Sequence, residues 1–388
     1  MIIQGKIPGT ESLLNVIVEN GTVIQINPYQ KGSSYDFGGA DLYLCSGFFD
    51  PQVNGFAGVD FNAKGLTSEG LHRAACSLAS FGVTRFLPTL ITASHERTAH
   101  QLKIISRVLE DDPLLRRMCP GIHLEGPYIS PEDGPRGVHS REFVRPPQWE
   151  ELKKFQEACR GKIRCITLAP EIEGAIHFIE KAVGDGMVVG LGHTDATEDV
   201  IEDAVRAGAR LSCHLGNATR PLLAPHRNPI QKQLAMDQLI ATIITDGIHL
   251  PDYVVKNFVR SKGIDRIMLT TDCMAGAGAP PGKYTLGELV VEVESSGAAR
   301  LPDSLRLAGS TLTMERAITN LMKFAGIDLA SAMKMAVGNA GRVFQEVSNE
   351  FVLGQSADLV LFEYQDELMV RFTWIHGEKI EQMHTLES

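Results

Sequence analysis

The stretch Met187–Gly208, MVVGLGHTDATEDVIEDAVRAG, contains one complete strand-then-helix unit. Its apolar run predicts a buried β-strand over Met187–His193, because short apolar runs are typical of parallel strands with both faces covered. The residues that follow, TEDVIEDAVRAG, have the apolar spacing of an amphipathic helix, and Gly208 is a common helix stop. His193 therefore stands where the strand ends, which is where a parallel barrel places its functional groups.

The same alternation of strand and helix recurs along most of the chain. Other helical patterns are SEGLHRAACSLASFG, PQWEELKKFQEACRG and PDYVVKNFVRSKG, and each also ends in Gly. The predicted strands are Ser46–Gln52, Val83–Leu90, Gly121–Glu125, Ile163–Leu168, Met187–His193, Leu211–Leu215, Ile240–Thr245 and Ile267–Thr271. This pattern predicts an α/β fold, a closed parallel (β/α)8 TIM-like barrel occupying residues 46–349.

The two ends of the chain have a different pattern. Residues 1–45 alternate apolar and polar side chains around Asn20-Gly21, a strong hairpin turn signal. Residues 350–388 again contain strand-like runs separated by polar turns. We expect the two ends to combine into one small discontinuous β-sandwich domain, with the barrel inserted between them. Two long insertions, 126–147 and 274–308, interrupt the barrel pattern, and loops of this length often act as lids.

Composition limits the classes of function. The chain has 388 residues, of which 44% are hydrophobic, and its formal net charge is −10. An acidic chain of this kind is not expected to bind nucleic acid or an anionic membrane surface. Its seven cysteines show no CxxC pair, so neither a disulfide framework nor a cysteine zinc site is expected. The first residues lack a signal-peptide pattern, which makes the cytoplasm the expected location.

Polar residues mark the end of most predicted strands. Because the carboxyl ends of parallel barrel strands meet at one mouth, these side chains should converge. One such residue would mean little, but this many marked ends predict a site. The residues are Gln52 and Asn54 after strand 1, Glu125 after strand 3, His193 after strand 5, His214 and Asn217 after strand 6, Asp246 and His249 after strand 7, and Asp272 after strand 8.

The residue types point to metal-dependent hydrolysis. Two imidazoles and one carboxylate, here His193, His214 and Glu125, form a common zinc set that leaves a position for water. Asp272 is placed to move the proton of that water, and His249 to donate a hydrogen bond to a carbonyl oxygen. A single histidine at a strand end is more often structural, and an aspartate there can simply cap a helix. Glu125 is harder to explain in that way, since a buried carboxylate needs a partner.

Seven segments are similar in order and spacing to the N-acetylglucosamine-6-phosphate deacetylase family of the amidohydrolase superfamily. They are GIHLEGPYIS, TLAPE, GLGHTDAT, CHLGNATRPL, DGIHLP, TTDC and LAGSTLTMERAI. The resemblance implies Glu125, His193 and His214 as metal ligands and Asp272 as the catalytic acid and base. It also implies that Asn217, Ala218 and His249 contact the sugar, that His139 reaches the substrate from a lid, and that the protein is a homodimer.

The number of metal ions is suggested by two departures from two-metal relatives. Gln52 and Asn54 occupy the place of a His-x-His pair, and neutral amides are weaker ligands for divalent metals than imidazoles. Strand 4 lacks a lysine at its carboxyl end, since Lys162 stands at the opposite end. The family includes one-metal members with Gln-x-Asn. We therefore expect one divalent ion per subunit, with zinc as the expected metal, and substrate-binding roles for Gln52 and Asn54.

The expected reaction is hydrolysis of N-acetylglucosamine 6-phosphate to glucosamine 6-phosphate and acetate. In the phosphate-binding segment the chain has His226-Arg227-Asn228-Pro229 where the family pattern has His-Arg-Glu-Pro. Arg227 is the expected phosphate contact, with Arg220, Arg136 and Arg141 as alternatives. The alternative substrates are an unphosphorylated N-acetyl amino sugar or an N-acyl amino acid. The missing strand-1 and strand-4 ligands disfavour a cyclic-amide hydrolase, and the complete ligand set disfavours a non-enzymatic scaffold.

Overall fold

Eight parallel strands form a nearly closed barrel in the computed structural model, which describes residues 1–346 and 351–381. In chain order they are Phe48–Val53, Val83–Leu90, Ile122–Glu125, Ile163–Leu168, Val188–Leu191, Leu211–Ser212, Ile240–Ile243 and Ile267–Leu269. Each strand pairs with the next, and a parallel bridge between Val53 and Cys273 links the first strand to the residues after the eighth. The predicted barrel is therefore confirmed.

The strands that carry functional residues end earlier than predicted. The fifth strand ends at Leu191 instead of His193, and the sixth at Ser212 instead of Leu215. His193, His214 and Asp272 all have positive φ angles, of 52°, 30° and 50°. A positive φ is incompatible with a β-strand and uncommon outside glycine. The backbone therefore turns at these three residues, which the strand pattern did not indicate.

Helices surround the barrel. The predicted helical patterns are confirmed as Ser68–Ser80, Trp149–Ala158, Glu198–Arg206 and Asp252–Lys262, each buried on one side. The other helices are His95–Asp111, Pro113–Met118, Ala175–Gly184, Pro229–Ala235, Ile264–Arg266, Met314–Ala325, Leu329–Met333, Lys334–Gly338 and Asn339–Phe344. None of the helices in the described ranges has both the length and the apolar character needed to cross a bilayer.

Strands from both ends of the chain form a separate sheet. Hydrogen bonds join all seven strands in one sheet, whereas a sandwich implies two. A shared core of Ile3, Val16, Leu44, Leu359 and Trp374 connects the N-terminal and C-terminal strands. The strands are Ile2–Lys6, Leu13–Glu19, Thr22–Pro28, Phe37–Ser46, Leu359–Tyr364, Leu368–Ile375 and Glu378–Lys379. The division at residues 45/46 and 349/350 stays a prediction, and residues 347–350 and 382–388 lie outside the described ranges.

The two long insertions cover the barrel mouth differently. Residues 126–147 contain turns but no helix or strand. The second insertion forms a small antiparallel sheet of Gly282–Leu286, Leu289–Val293 and Ala299–Arg300, as its alternating sequence suggests. Ser310, which follows this sheet, forms a parallel bridge with Cys273. The second insertion is thus tied to the backbone beside Asp272.

Candidate active site

Glu125, His193 and His214 meet at the barrel mouth. Glu125 Oε1 lies 3.1 Å from His193 Nε2 and 2.9 Å from His214 Nε2. The two imidazole nitrogens are 3.2 Å apart. All three side chains are buried. The predicted ligands from three separate strands are thus brought together, as a metal centre requires.

The hydrogen bonding of His193 shows that this cluster suits a cation. Its Nδ1 lies 3.0 Å from the carbonyl oxygen of Pro135, which can only accept a hydrogen bond. In the neutral ring the proton is therefore on Nδ1, and Nε2 directs a lone pair towards the Glu125 carboxylate. Lone pairs that face one another without a proton repel, whereas a divalent cation would satisfy all of them. Two imidazoles and a carboxylate are also a donor set that zinc accepts.

The Glu125 side chain is held in the charged form. Burial raises the pKa of this carboxyl group, but hydrogen bonds with His193 and His214, together with the charges of His193 and His139, outweigh that effect. Its pKa consequently lies well below the ordinary value. A ligand that is already deprotonated needs to release no proton when a metal binds.

Two amides connect the ligand cluster to Asp272. Gln52 Nε2 donates to Glu125 Oε1 at 2.8 Å and to Asp272 Oδ1 at 2.9 Å. Asn54 Nδ2 also donates to Asp272 Oδ1, at 2.7 Å. The Cys213 thiol lies 3.2 Å from Gln52 Oε1, which fits the orientation of that amide. Burial, together with the nearby Glu125 carboxylate, raises the pKa of Asp272 to about 7.

Asp50 supports the backbone at Asp272 from below. Its fully buried carboxylate accepts hydrogen bonds from the Thr271 amide at 3.1 Å and the Thr270 hydroxyl at 3.2 Å. The Thr271 hydroxyl makes a further short hydrogen bond to it. These bonds fix the turn at Asp272. The sequence alone assigns Asp50 no role, because its partners lie 220 and 221 residues away.

Three other histidines have defined partners. His249 Nδ1 lies 2.7 Å from Asp246 Oδ2, which orients the ring at the mouth. His139 Nδ1 lies 2.8 Å from the Thr92 hydroxyl, and its Nε2 is 3.7 Å from Glu125 Oε2. His123 lies between the Pro51 carbonyl and the Thr167 hydroxyl, at 3.1 and 2.8 Å. Both ring nitrogens of His123 are therefore occupied by protein groups, which is consistent with a structural role. His139 and His249 line the active-site cavity.

These groups surround one cavity of about 480 Å³. Most of the predicted site residues line it: Asn54, Glu125, His139, His193, His214, Asn217, Ala218, His249 and Asp272. Gln52 lies beneath, bonded to two of them. Arg227 is exposed and is absent from the lining, so the structure of one chain does not bring this predicted residue to the site. Lys162 lies at the far end of its strand, 3.6 Å from Glu110.

The other three arginines predicted as phosphate contacts either bind protein groups or lie outside the cavity lining. Arg220 pairs with Asp195 at 2.5 Å, and Arg136 donates to the carbonyl oxygen of His139 at 2.7 Å. Arg141 is exposed and does not line the cavity. Arg306, in the second insertion, does line it. Sequence reasoning missed Arg306, although it directly precedes the LAGS segment of the family pattern.

Comparison with known sequences identifies relatives over most of the chain. No family model matches. An N-acetylglucosamine-6-phosphate deacetylase of Lysinibacillus sphaericus is 32% identical over 362 residues, covering 92% of this chain and 90% of the relative. The Bacillus subtilis protein of the same name is 30% identical, with 92% of each chain covered. The human one is 32% identical over 87% of this chain and 83% of its own length.

Solved structures agree with this assignment. A mutant of the Mycobacterium smegmatis deacetylase, in complex with N-acetyl-D-glucosamine-6-phosphate, superposes with a TM-score of 0.89. It is 28% identical, and 98% of this chain and 99% of that chain are covered. The Thermotoga maritima deacetylase gives a TM-score of 0.85 at 29% identity over 98% of this chain and all of that one. The chain belongs to the N-acetylglucosamine-6-phosphate deacetylase family.

Proposed function

We propose that this protein hydrolyses the N-acetyl group of N-acetylglucosamine 6-phosphate, giving glucosamine 6-phosphate and acetate. The observation that carries the proposal is the convergence of Glu125, His193 and His214 with Asp272 in one cavity. Relatives that bear the name of this activity match about nine-tenths of the chain. Fold alone would not support an activity, but this set of side chains has the chemistry for amide hydrolysis.

One divalent ion per subunit, zinc in our proposal, would be held by Glu125, His193 and His214. When bound, such an ion lowers the pKa of a water molecule to about 7 and polarises a carbonyl group. Gln52 and Asn54 support the choice of one ion, since both amides are already hydrogen-bonded to carboxylates. An amide nitrogen in that position offers no lone pair to a second metal.

Asp272 is the proposed acid and base. It takes a proton from the attacking water and returns it to the sugar nitrogen as the carbon–nitrogen bond breaks. A pKa of about 7 suits both directions of transfer at neutral pH. Asp246 Oδ2, 2.7 Å from Nδ1, orients the His249 ring, and Nε2 would donate a hydrogen bond to the carbonyl oxygen as negative charge develops there.

The remaining predicted residues would hold the sugar. Asn217 and Ala218 lie in the loop after the sixth strand and line the cavity together with residues of the second insertion. His139 is held by Thr92 with its Nε2 towards the ligand cluster. Gln52 and Asn54 stay proposed substrate-binding residues; both are hydrogen-bonded to Asp272, and Asn54 lines the cavity. The proposal also places the enzyme in the cytoplasm, as expected from the sequence, and takes the homodimer from the resemblance to the family alone.

Acetate release by the zinc-loaded protein tests the proposal directly. N-acetylglucosamine 6-phosphate, N-acetylglucosamine and an N-acyl amino acid should be assayed side by side at equal concentration. Rapid release from the phosphorylated sugar is the expected result. Release from the N-acyl amino acid alone would show that the protein hydrolyses the amide bond of a different substrate. Release from none of the three would contradict the proposal.

A further inference from the structure

Both ends of the first insertion, residues 126–147, are hydrogen-bonded to the carboxylate of Glu151. Near the start of the insertion, the hydroxyl of the buried Tyr128 donates to Glu151 Oε2 at 2.8 Å. Near its end, Arg145 Nε donates to both carboxylate oxygens at 3.1 Å, and Nη2 donates to Oε1 at 2.9 Å. Charge-assisted bonds with this fork geometry are among the stronger hydrogen bonds in proteins. Glu151, in the helix that follows, therefore fixes both ends of the loop that carries His139.

Arg145 extends this contact towards the active site. Its Nη1 donates to the carbonyl oxygen of Phe143 at 2.7 Å and to that of Ala93 at 3.1 Å. Phe143 belongs to the first insertion, whereas Ala93 follows the second barrel strand. The guanidinium group therefore joins the insertion to the barrel, and the Glu151 carboxylate fixes the orientation of that group.

Thr92, the residue before Ala93, holds the ring of His139. Its hydroxyl lies 2.8 Å from His139 Nδ1, and its amide nitrogen lies 3.4 Å from the same atom. A backbone amide can only donate, so Nδ1 accepts and the neutral ring carries its proton on Nε2. That nitrogen lies 3.7 Å from Glu125 Oε2, and His139 lines the active-site cavity. His139 can therefore donate a hydrogen bond to an oxygen atom of a bound substrate.

We propose that Glu151, acting through Arg145, is a positioning residue that sets the orientation of His139 for substrate binding. This inference rests on the proposed deacetylase function, in which His139 contacts the sugar. Glu151 and Arg145 do not themselves line the cavity. Without the carboxylate, the guanidinium group would turn towards solvent and the Ala93 carbonyl would lose its donor. Thr92, and with it the His139 ring, would then adopt orientations that bind the substrate poorly.

The first variant is Glu151→Gln, which keeps the volume of the side chain. An amide cannot accept hydrogen bonds from Arg145 at both terminal atoms, because one of them is a donor. We expect kcat/KM for N-acetylglucosamine 6-phosphate to fall by about 10-fold. The matched control is Glu110→Gln, since Glu110 lies 3.6 Å from Lys162 at the opposite end of the barrel. It should change kcat/KM by less than about twofold.

A double-mutant cycle with His139→Ala separates positioning from a purely structural role. If Glu151 acts through the His139 ring, adding Glu151→Gln to His139→Ala should lower kcat/KM by less than about twofold. The decrease in Tm caused by Glu151→Gln should be similar in both backgrounds, because the ion pair with Arg145 is broken in both. An equally large loss of kcat/KM in both backgrounds would overturn the inference.

A milder variant keeps the test decisive if Glu151→Gln does not fold. Tyr128→Phe removes one hydrogen bond to Glu151, so kcat/KM should fall by about two- to fivefold, and this loss should also disappear in His139→Ala. Each variant should keep its metal, since the clustered ligands are other residues. Unchanged kcat/KM in the folded variants, or loss of their metal, would overturn the inference. A wild-type protein that releases no acetate would refute the proposed function, and the inference with it.

Discussion

Gln52 bridges two carboxylates: one amide nitrogen donates to Glu125 Oε1 at 2.8 Å and to Asp272 Oδ1 at 2.9 Å. A metal ligand and the proposed acid and base would otherwise repel each other across the barrel mouth. The two hydrogens of the amide keep both carboxylates in place without adding charge. The Gln-x-Asn pair therefore has a structural role of its own, because its amides hold the Glu125 and Asp272 carboxylates in place.

Substitution of Gln52 should test that role. Gln52→Leu removes both hydrogen bonds at nearly constant volume, and we expect kcat to fall by about 10- to 100-fold while bound metal is retained. Gln52→Glu places a third carboxylate beside the other two and should be worse than Gln52→Leu. Steady-state kinetics with elemental analysis of each protein would decide. If Gln52→Glu were as active as the wild type, charge neutrality at this position would be irrelevant.

Asp272→Asn should abolish proton transfer while keeping the shape of the side chain. We expect a loss of about 10²- to 10⁴-fold in kcat, the range typical of general acid–base catalysis. The variant should keep its metal, because Asp272 is not one of the three clustered ligands. Turnover near the wild-type rate would show that another group moves the proton.

Metal content should follow the three ligands. Elemental analysis of the wild type after gel filtration should give one divalent ion per chain, and Glu125→Gln should reduce this to a small fraction, because a neutral amide is a much weaker ligand. Dialysis against a chelator should abolish acetate release, and added zinc should restore it. Two ions per chain would contradict the one-metal proposal, and full occupancy in Glu125→Gln would exclude Glu125 as a ligand.

Stability should depend on pH through Glu315. Burial raises the pKa of this carboxyl group from 4.5 to about 7. Between these values the folded protein keeps a proton that the unfolded chain has released, so the stability contributed by Glu315 is lost as the pH rises through this window. Glu315→Gln has no proton to lose. Its Tm relative to the wild type should therefore increase from pH 4.5 to pH 8, measured by calorimetry in one buffer series. A difference that is constant with pH would contradict the shift.

The barrel and the terminal sheet are joined by a buried ion pair. Arg85 Nη2 lies 2.6 Å from Asp358 Oδ2, and both side chains are largely shielded from solvent. Arg85→Met leaves the Asp358 charge without its partner, so the free energy of unfolding in urea should fall by about 3 kcal/mol. Lys153→Met, which breaks the exposed pair with Glu150, should cost less than about 1 kcal/mol. Similar losses of unfolding free energy in the two variants would show that the buried pair contributes no more to stability than the exposed pair.

Much of the barrel could be predicted because its signals are local. Apolar runs located all eight strands, and the polar residues that follow six of them include the metal cluster. What failed were the strand ends at His193 and His214, where positive φ angles end the strands. Propensity describes average backbone preferences. It does not predict a strained turn that tertiary contacts impose.

Contacts between distant segments explain the rest. Arg306 lies in an insertion without periodicity around it, and its place at the mouth follows from the pairing of Arg300 with Leu307 and from the hydrogen bond of Ser310 to Asp272. The supporting role of Asp50 likewise depends on two threonines that directly follow the last barrel strand. No short window of sequence contains both members of such a contact.

The seven-stranded sheet also imposes an order in time. Phe37–Ser46 pairs with Ile2–Lys6 on one side and with Leu359–Tyr364 on the other, so its second neighbour is synthesised only after the whole barrel. While the chain is still on the ribosome, the strand has an unpaired edge, and the first segment made is among the last to be completed. Such an edge invites pairing with another chain. Yield in the cell should therefore depend on how quickly the last strands follow the barrel, even though they contribute nothing to the chemistry.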